Sequence, residues 1–432
     1  MLLRTRDLAV AVGGRLDGPD VEVDGASQDS RAVAPGQLFV PIAAERDGHA
    51  FIVEALAHGA AAYLTTGAPE GGTAIVVDDT LAALQAAGRH ARSLLPSLVV
   101  GVTGSVGKTS VKDLLAAALG EQLATAASAR SFNNEMGVPL TLLNAPDGTE
   151  AVVVEMGARG IGHIAELCAI ALPTIGVVTR VAAVHTEAFG TLDDVATAKG
   201  ELVESLPASG TAVLFTADPL VLAMADRTDA QVLTYGPGGD VSAEAIEVGT
   251  DLLPRFRLVS PWGSAPVALA VRGTHQVDNA LAAAAAALVA GVDLAAVVAG
   301  LERGVLSPWR MELATSPAGA LVLNDAYNAN PTSVAAALRS LAALPARRRI
   351  AVLGVMAELG DLESSEHVGI RELAEDLGIR LIAVDAPAYG AEDVVDLHGA
   401  MAALGELGEG DAVLVKGSRV AGLERLAALL LD

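Results

Sequence analysis

The chain has 432 residues, enough for about three domains at roughly 150 residues each. Hydrophobic residues make up 52% and charged residues 19%, which supplies buried cores and excludes a chain that is disordered over long stretches. Acids outnumber bases 52 to 28 for a net charge of −24, with no basic stripe, so no nucleic acid is expected as a partner.

Of the 28 bases only four are lysines: Lys108, Lys112, Lys199 and Lys416. Lysine is ordinarily among the commonest residues, so each survivor is a candidate for a task that arginine cannot perform. The single cysteine, Cys168, excludes an internal disulfide framework and a multi-cysteine zinc site; in IAELCAIAL it reads as a packing residue. The stretch MLLRTRDLAVAVGG lacks the apolar core of a secretory signal, and the most apolar run, Ala280 to Ala290, is far shorter than the ~20 residues of a membrane span. The expectation is a soluble cytoplasmic protein with no membrane span, working as a monomer.

In chain order, residues 1–96 mix short strands with alanine-rich helices. AFIVEALAHG reads as a helix ending at Gly59, TAIVVDD as a short strand, and Pro96 as a linker before a new strand. Residues 97–306 alternate helices with apolar runs of strand length: LVVGVT, AVVVEMG, TIGVVTRV, TAVLFTAD and QVLTYG. Such runs mark strands buried on both faces, as in a parallel sheet. The segment 236–273, with PGG and SPWGS turns, reads as an antiparallel insertion, and DNALAAAAAALVAG returns to helix. Residues 307–432 repeat the pattern with LVLNDAY, RIAVLGVM, RLIAVD and DAVLVKGS. The expected fold is α/β in three domains: a small N-terminal α/β domain, a central P-loop-type parallel-sheet domain, and a C-terminal Rossmann-like domain.

The chemistry starts at LVVGVTGSVGKTS (98–110), where a buried strand enters a glycine loop that opens a helix. Backbone N–H groups of Gly104, Ser105, Val106, Gly107 and Ser110 can bind phosphate oxygens. Lys108 adds a point charge, and the Thr109 hydroxyl can ligate Mg²⁺. The loop departs from G-x-x-x-x-G-K-[ST] because Val102 stands at the first glycine position; glycines at 101 and 104 serve instead. Glu155 ends the next strand, AVVVE, either as a Mg²⁺ ligand beyond the carboxyl end of a sheet or as a solvated strand-end acid. His185 follows a further strand, as a functional group or a structural hydrogen-bonder. Lys199 lies on an amphipathic helix, where a lysine commonly just covers surface. Asn133 and Asn134, in RSFNNEMGVPLTLL, offer amides to a polar peptide or serve as loop caps.

The loop variant G-x-T-G-[ST]-x-G-K-[ST] resembles the ATP loop of the Mur ligases; folylpolyglutamate synthases carry a similar loop. VVEMGARGIGHIAEL and HTEAFG…AKGEL also resemble Mur ligase segments. The resemblance implies that Glu155 and His185 surround the metals, two Mg²⁺, and that Lys199 carries a carbamate made from CO₂. RSFNNEMGVPLTLL resembles the branch that adds D-alanyl-D-alanine to UDP-N-acetylmuramoyl-tripeptide, and the D-N-P-R stretch of the diaminopimelate-adding branch is absent. The N-terminal SQDSRAVAPGQLFVPIAAERDGHAFI resembles that branch's nucleotide-sugar domain, which implies Asp29, Ser30 and Arg31 at the UDP-muramoyl substrate, with Phe39 and His49 nearby. GTHQVDNALAAAA aligns Asn279 with an adenine contact, although Gln276 replaces the usual asparagine. SPWRMEL implies Arg310 at the ATP phosphates. NDAYNANPTSV implies Asp325 at the nucleotide, with Tyr327, Asn328 and Asn330 near the domain junction. VLVKGSR leaves Lys416 as a substrate-side cation. VLGVMAELG carries Val355 where an acid is usual, so no role is assigned there.

The implied reaction is ATP-dependent, ADP-forming amide ligation through an acyl phosphate. The three domains would hold the nucleotide sugar, ATP and the incoming dipeptide in that order. The competing readings are a related ligase adding a single amino acid, a P-loop NTPase with a regulatory or binding role, and a catalytically silent homologue.

Overall fold

The computed structural model describes residues 1–44, 46–129, 131–182 and 189–432. Near the N-terminus, Leu2–Arg4 pairs antiparallel with Glu22–Asp24. A five-stranded sheet then runs in the order Arg15–Asp17, Ala74–Val76, Ala62–Thr65, Leu38–Phe39, Ala26–Ser27. Only its first pair is antiparallel. The helix Ile52–Ala57 stops where expected, because Gly59 takes a positive φ of 99° that ends it and turns the chain into the next strand.

The central sheet has six parallel strands in the order Gln231–Tyr235, Thr211–Phe215, Ile175–Val178, Val99–Thr103, Ala151–Glu155, Thr125–Ala127. Its interior strands are buried on both faces, which explains their unbroken apolar sequence. The short edge strand Thr125–Ala127 has too few residues to announce itself in sequence. Segment 236–273 is antiparallel as expected: Ser242–Val248, Pro254–Ser260 and Gly263–Ala268 form a three-stranded sheet. The third sheet runs Glu312–Thr315, Leu321–Asn324, Asp411–Lys416, Arg348–Gly354, Arg380–Val384, Glu392–Val394, parallel except for the first pair.

Each sheet lies within one of the segments 1–96, 97–306 and 307–432, but the first boundary does not divide the core. One hydrophobic cluster extends from Met1 through the central sheet to Leu301. The helix Thr80–Leu94, capped by the Asp79 carboxylate on the N–H groups of Leu81 and Ala82, carries this core across the boundary. Its Gly88 sits against Pro139 of the central helix Gly137–Leu143, with no room for a Cβ. The alanine run is the buried helix Gln276–Val289; small side chains let it pack tightly against Lys108–Leu119, the helix that follows the phosphate loop. The third sheet has its own clusters on either face. Leu252, in the turn of the antiparallel insertion, is buried in one of these together with Met311.

Candidate active site

A cavity of about 1250 Å³ opens at the carboxyl ends of the central strands, between the central and third sheets. Lys108, Glu155, Lys199, Asn279, Arg310 and Asp325 all line it, so residues spread over more than 200 positions of sequence meet there. Ligand sites in open α/β sheets are expected at this edge.

The phosphate loop has the shape its sequence demands. Gly104 has φ 139°, and a Cβ there would collide with Thr179 Oγ1; Gly107 has φ 91°, and a Cβ would lie 2.6 Å from Asn279 Oδ1. Gly107 is the left-handed N-cap of the helix Lys108–Leu119, whose first N–H groups face the loop. Thr179 Oγ1 donates to Val106 O at 2.6 Å, and Ser105 N donates to Arg180 O at 2.6 Å, fixing the loop from the neighbouring strand end. Lys108 Nζ folds over the loop and donates to Gly104 O at 2.7 Å. Burial lowers the pKa of this ammonium; the Glu155 carboxylate opposes the shift and the Arg310 guanidinium adds to it.

Glu155 is 1% exposed. Asn133 Nδ2 donates to its Oε1 at 2.8 Å, while its Oε2 is buried with no hydrogen-bond partner among the described residues. A buried, unsatisfied carboxylate oxygen is costly unless a cation completes it. With Thr109 lining the same cavity, this donor set fits Mg²⁺, which takes few protein oxygens and completes its shell with phosphate and water. No group of three or more His, Cys, Asp or Glu arranged to hold a metal ion occurs among the described residues. His185, expected beside the metals, lies outside the described residues.

Lys199 is not a surface lysine. It is 2% exposed on the helix Leu192–Glu204, with Nζ 5.7 Å from the centre of the Phe189 ring. Burial, reinforced by the Lys108 charge and opposed by Glu201, lowers its pKa to about 7. Glu201 itself accepts from the N–H of Ala165 at 2.9 Å and of Gly162, at the start of the helix His163–Ala171.

Asn134 also lines the cavity, and its Oδ1 accepts from Gly137 N at 2.9 Å. Asn330 is the N-cap of the helix Pro331–Ala343, in a reciprocal capping box with Ser333. Asn279 Nδ2 donates to Gln276 Oε1 at 2.8 Å and lies against the phosphate loop. Arg310 stacks over Tyr327, its Cζ 4.1 Å from the ring centre, and the Tyr327 hydroxyl bonds Ser131 across the gap between sheets. Asp325 pairs with Lys416, Nζ to Oδ2 2.5 Å, rather than with Arg310. Lys416, expected as a substrate-side cation, lines the cavity and also donates to Asn328 O at 2.8 Å.

The N-terminal candidates are not brought to this cavity. Arg31 grips Asp29 in a fork, Nε to Oδ1 2.9 Å and Nη2 to Oδ2 2.8 Å, and Ser30 Oγ donates to Glu54 at 2.6 Å. Phe39 is a core residue, and His49 bridges Asp47 and the Thr66 N–H. Sequence reasoning missed three residues. Thr179 and Arg180 follow directly on the strand Ile175–Val178, so their place at a strand end was readable. His275, buried beside Asp325 and Lys416 with its pKa lowered by burial to about 4, lies in the motif GTHQVDNALAAAA, where the replacement at Gln276 left it without a role.

A glycine loop at a parallel strand end, a buried lysine, and an acid with an unsatisfied oxygen define a phosphate-binding α/β enzyme with a metal-competent cavity. The relatives narrow this class. Residues 102–287 match the Mur ligase middle domain, and residues 309–419 match the Mur ligase glutamate ligase domain. The chain belongs to the Mur ligase family. It is 38% identical over 500 residues to the UDP-N-acetylmuramoyl-tripeptide--D-alanyl-D-alanine ligase of Mycobacterium tuberculosis (strain ATCC 25618 / H37Rv), covering 100% of this chain and 98% of the relative. The Escherichia coli (strain K12) protein of the same name is 37% identical over 368 residues, covering 81% and 78%. Among solved structures, MurF from Acinetobacter baumannii superposes with a TM-score of 0.90 at 30% identity, covering 100% of this chain and 99% of that one. MurF ligase from Thermotoga maritima in complex with ADP gives 0.82 at 27%, covering 94% and 97%. No helix among the described residues is long and apolar enough to cross a membrane.

Proposed function

We propose that this chain is an ATP-dependent, ADP-forming ligase that joins D-alanyl-D-alanine to UDP-N-acetylmuramoyl-tripeptide in peptidoglycan precursor synthesis. The observation that carries the reading is the convergence of Lys108, Glu155, Lys199 and Arg310 on one cavity, in a chain that matches a relative of that name over 98% of the relative's length.

The tripeptide's terminal carboxylate attacks the γ-phosphorus of ATP; a C–O–P bond forms, the bond to ADP breaks, and an acyl phosphate results. The amine of D-alanyl-D-alanine then attacks the activated carbonyl, and phosphate leaves with the C–O bond electrons. Both partners of the first step are anionic, so alignment and charge neutralisation supply most of the acceleration. The loop N–H groups from Gly104 to Ser110 cradle the phosphates, Lys108 supplies the compact positive charge beside them, and Arg310 faces them from the third segment. Asn279, which lies against the loop, would meet the adenine. Mg²⁺ would be held by Thr109 and Glu155, with His185, and would offset phosphate charge as phosphoryl transfer proceeds. Asn133 orients Glu155.

Lys199 fits the carbamate role chemically. Only a neutral amine adds CO₂, and a pKa of about 7 leaves roughly half of this one neutral at physiological pH. The product is an anionic oxygen donor suited to a second Mg²⁺. The Asp29–Ser30–Arg31 loop would hold the diphosphate and sugar at the N-terminal sheet, with the peptide reaching the cavity, and the third segment would hold the incoming dipeptide near Tyr327 and Asn328.

Tripeptide labelled with ¹⁸O in its terminal carboxylate tests the reading. With ATP and D-alanyl-D-alanine, the pentapeptide mass should appear together with one ¹⁸O in each phosphate released. Phosphate without label, or hydrolysis with no amide product, rejects it.

A further inference from the structure

Lys416 and Asp325 lie where a substrate-side cation and a nucleotide contact are expected, yet both are committed to each other. The Lys416 ammonium, 2% exposed at the end of the strand Asp411–Lys416, has three donors. Asp325 Oδ2 at 2.5 Å, Asn328 O at 2.8 Å and Asp325 O at 3.4 Å receive them. Asp325 Oδ1 accepts the backbone N–H of Met311 at 3.2 Å. That bond reaches the segment carrying Arg310, whose backbone is under strain on both sides: Trp309 has φ 62° and Met311 has φ 54°, a region bulky side chains avoid.

The strain is held from several directions. Tyr327 N donates to Trp309 O at 3.2 Å, Trp309 N donates to Glu312 at 2.9 Å, and Arg419 stacks on the Trp309 ring at 4.6 Å. Arg310 sits between the two strained residues, stacked on Tyr327, and its Nε is buried without a partner among the described residues. Release of Met311 would let the backbone relax and swing the guanidinium away from the cavity.

We propose that Lys416 and Asp325 are positioning residues: their buried ion pair locks Met311 and thereby holds Arg310 towards the nucleotide phosphates. The inference rests on the ATP-dependent reading of the site. It also explains why a chain nearly free of lysine keeps one here. A planar guanidinium cannot send three converging bonds to Asp325 Oδ2, Asp325 O and Asn328 O.

Kinetics and equilibrium ATP binding of Lys416→Gln, Arg310→Ala and the double variant test this. Lys416→Gln should weaken ATP binding and lower kcat by about tenfold or more, the worth of a hydrogen bond to a charged group. It should leave the KM for UDP-N-acetylmuramoyl-tripeptide, held at the distant N-terminal sheet, within about twofold, and Lys416→Arg should not restore activity. In the Arg310→Ala background the same change should add less than about twofold, because residues acting through one group are not additive. A rise in dipeptide KM alone, or losses that multiply in the double variant, overturns the proposal. Should Lys416→Gln fail to fold by thermal melting, Lys416→Gln/Asp325→Asn replaces the charged pair with amides and carries the same cycle. The ATP-binding arm decides even if no amide is formed from the dipeptide, an outcome that would reject the ligase reading instead.

Discussion

At the scale of single residues, burial separates chemistry from decoration. Lys199 could be read from sequence as a surface lysine; the structure encloses it and lowers its pKa to about 7. A lysine with a lowered pKa is protonated below that value and neutral above it, so CO₂ loading should rise with pH. At fixed dissolved CO₂, kcat/KM should fall on the acid side with a midpoint near 7, and added bicarbonate should move that midpoint to lower pH. A profile insensitive to bicarbonate would argue against a carbamate. Replacing Lys108 with Met should lower kcat by about a thousandfold, as for removal of a preorganised charge from a developing anion, with the melting temperature little changed. The loop lysine was legible because a strand, a glycine loop and a helix arrive in fixed order; Glu155 was legible as a strand-end acid but not as a ligand. Asn134 was legible only as an alternative, since a polar amide reads the same whether it caps a loop or meets a substrate; it bonds Gly137 and also lines the cavity. The Lys416–Asp325 pair was not legible, because 91 positions separate its partners.

At the scale of elements, two features position the site. The phosphate loop depends on Gly107, where φ is 91° and Asn279 leaves no space for a Cβ. Gly107→Ala should cost about 1–2 kcal/mol from the left-handed backbone alone, and ATP affinity should fall with it. The helix Gly137–Leu143 begins beside Asn133 and ends at Asn144, whose side chain bonds both backbone groups of Ala26. Asn144 thus takes the place of a further strand at the edge of the N-terminal sheet, three residues before Asp29. Asn144→Ala should destabilise the protein by about 1–3 kcal/mol through the unpaired backbone groups and should raise the KM for the nucleotide sugar more than that for ATP. An equal rise for both substrates would mean that it only stabilises the fold. The long parallel strands were read correctly because burial on both faces writes an unbroken apolar run. Edge strands such as Thr125–Ala127 and Glu392–Val394 bury too little to leave that trace.

At the scale of the whole molecule, sequence indicated three domains but not how they share cores. Continuity of the core from Met1 to Leu301 ties the N-terminal sheet to the central one. The third segment is joined through fewer contacts, among them Leu252 from the antiparallel insertion and the Tyr327–Ser131 bond. Leu252→Ala should therefore lower stability by about 2–4 kcal/mol as a buried leucine cavity, with the third segment protected least in hydrogen exchange. The net charge of −24 does not conflict with anionic substrates, because a few cations line the cavity, Lys108 and Arg310 among them. The central claim is the choice of acceptor, and competition measures it most directly. With ATP and UDP-N-acetylmuramoyl-tripeptide, D-alanyl-D-alanine should be ligated and ADP released in equal amounts, while D-alanine, glutamate and diaminopimelate are left unchanged. Ligation of a single amino acid in preference to the dipeptide would contradict the account.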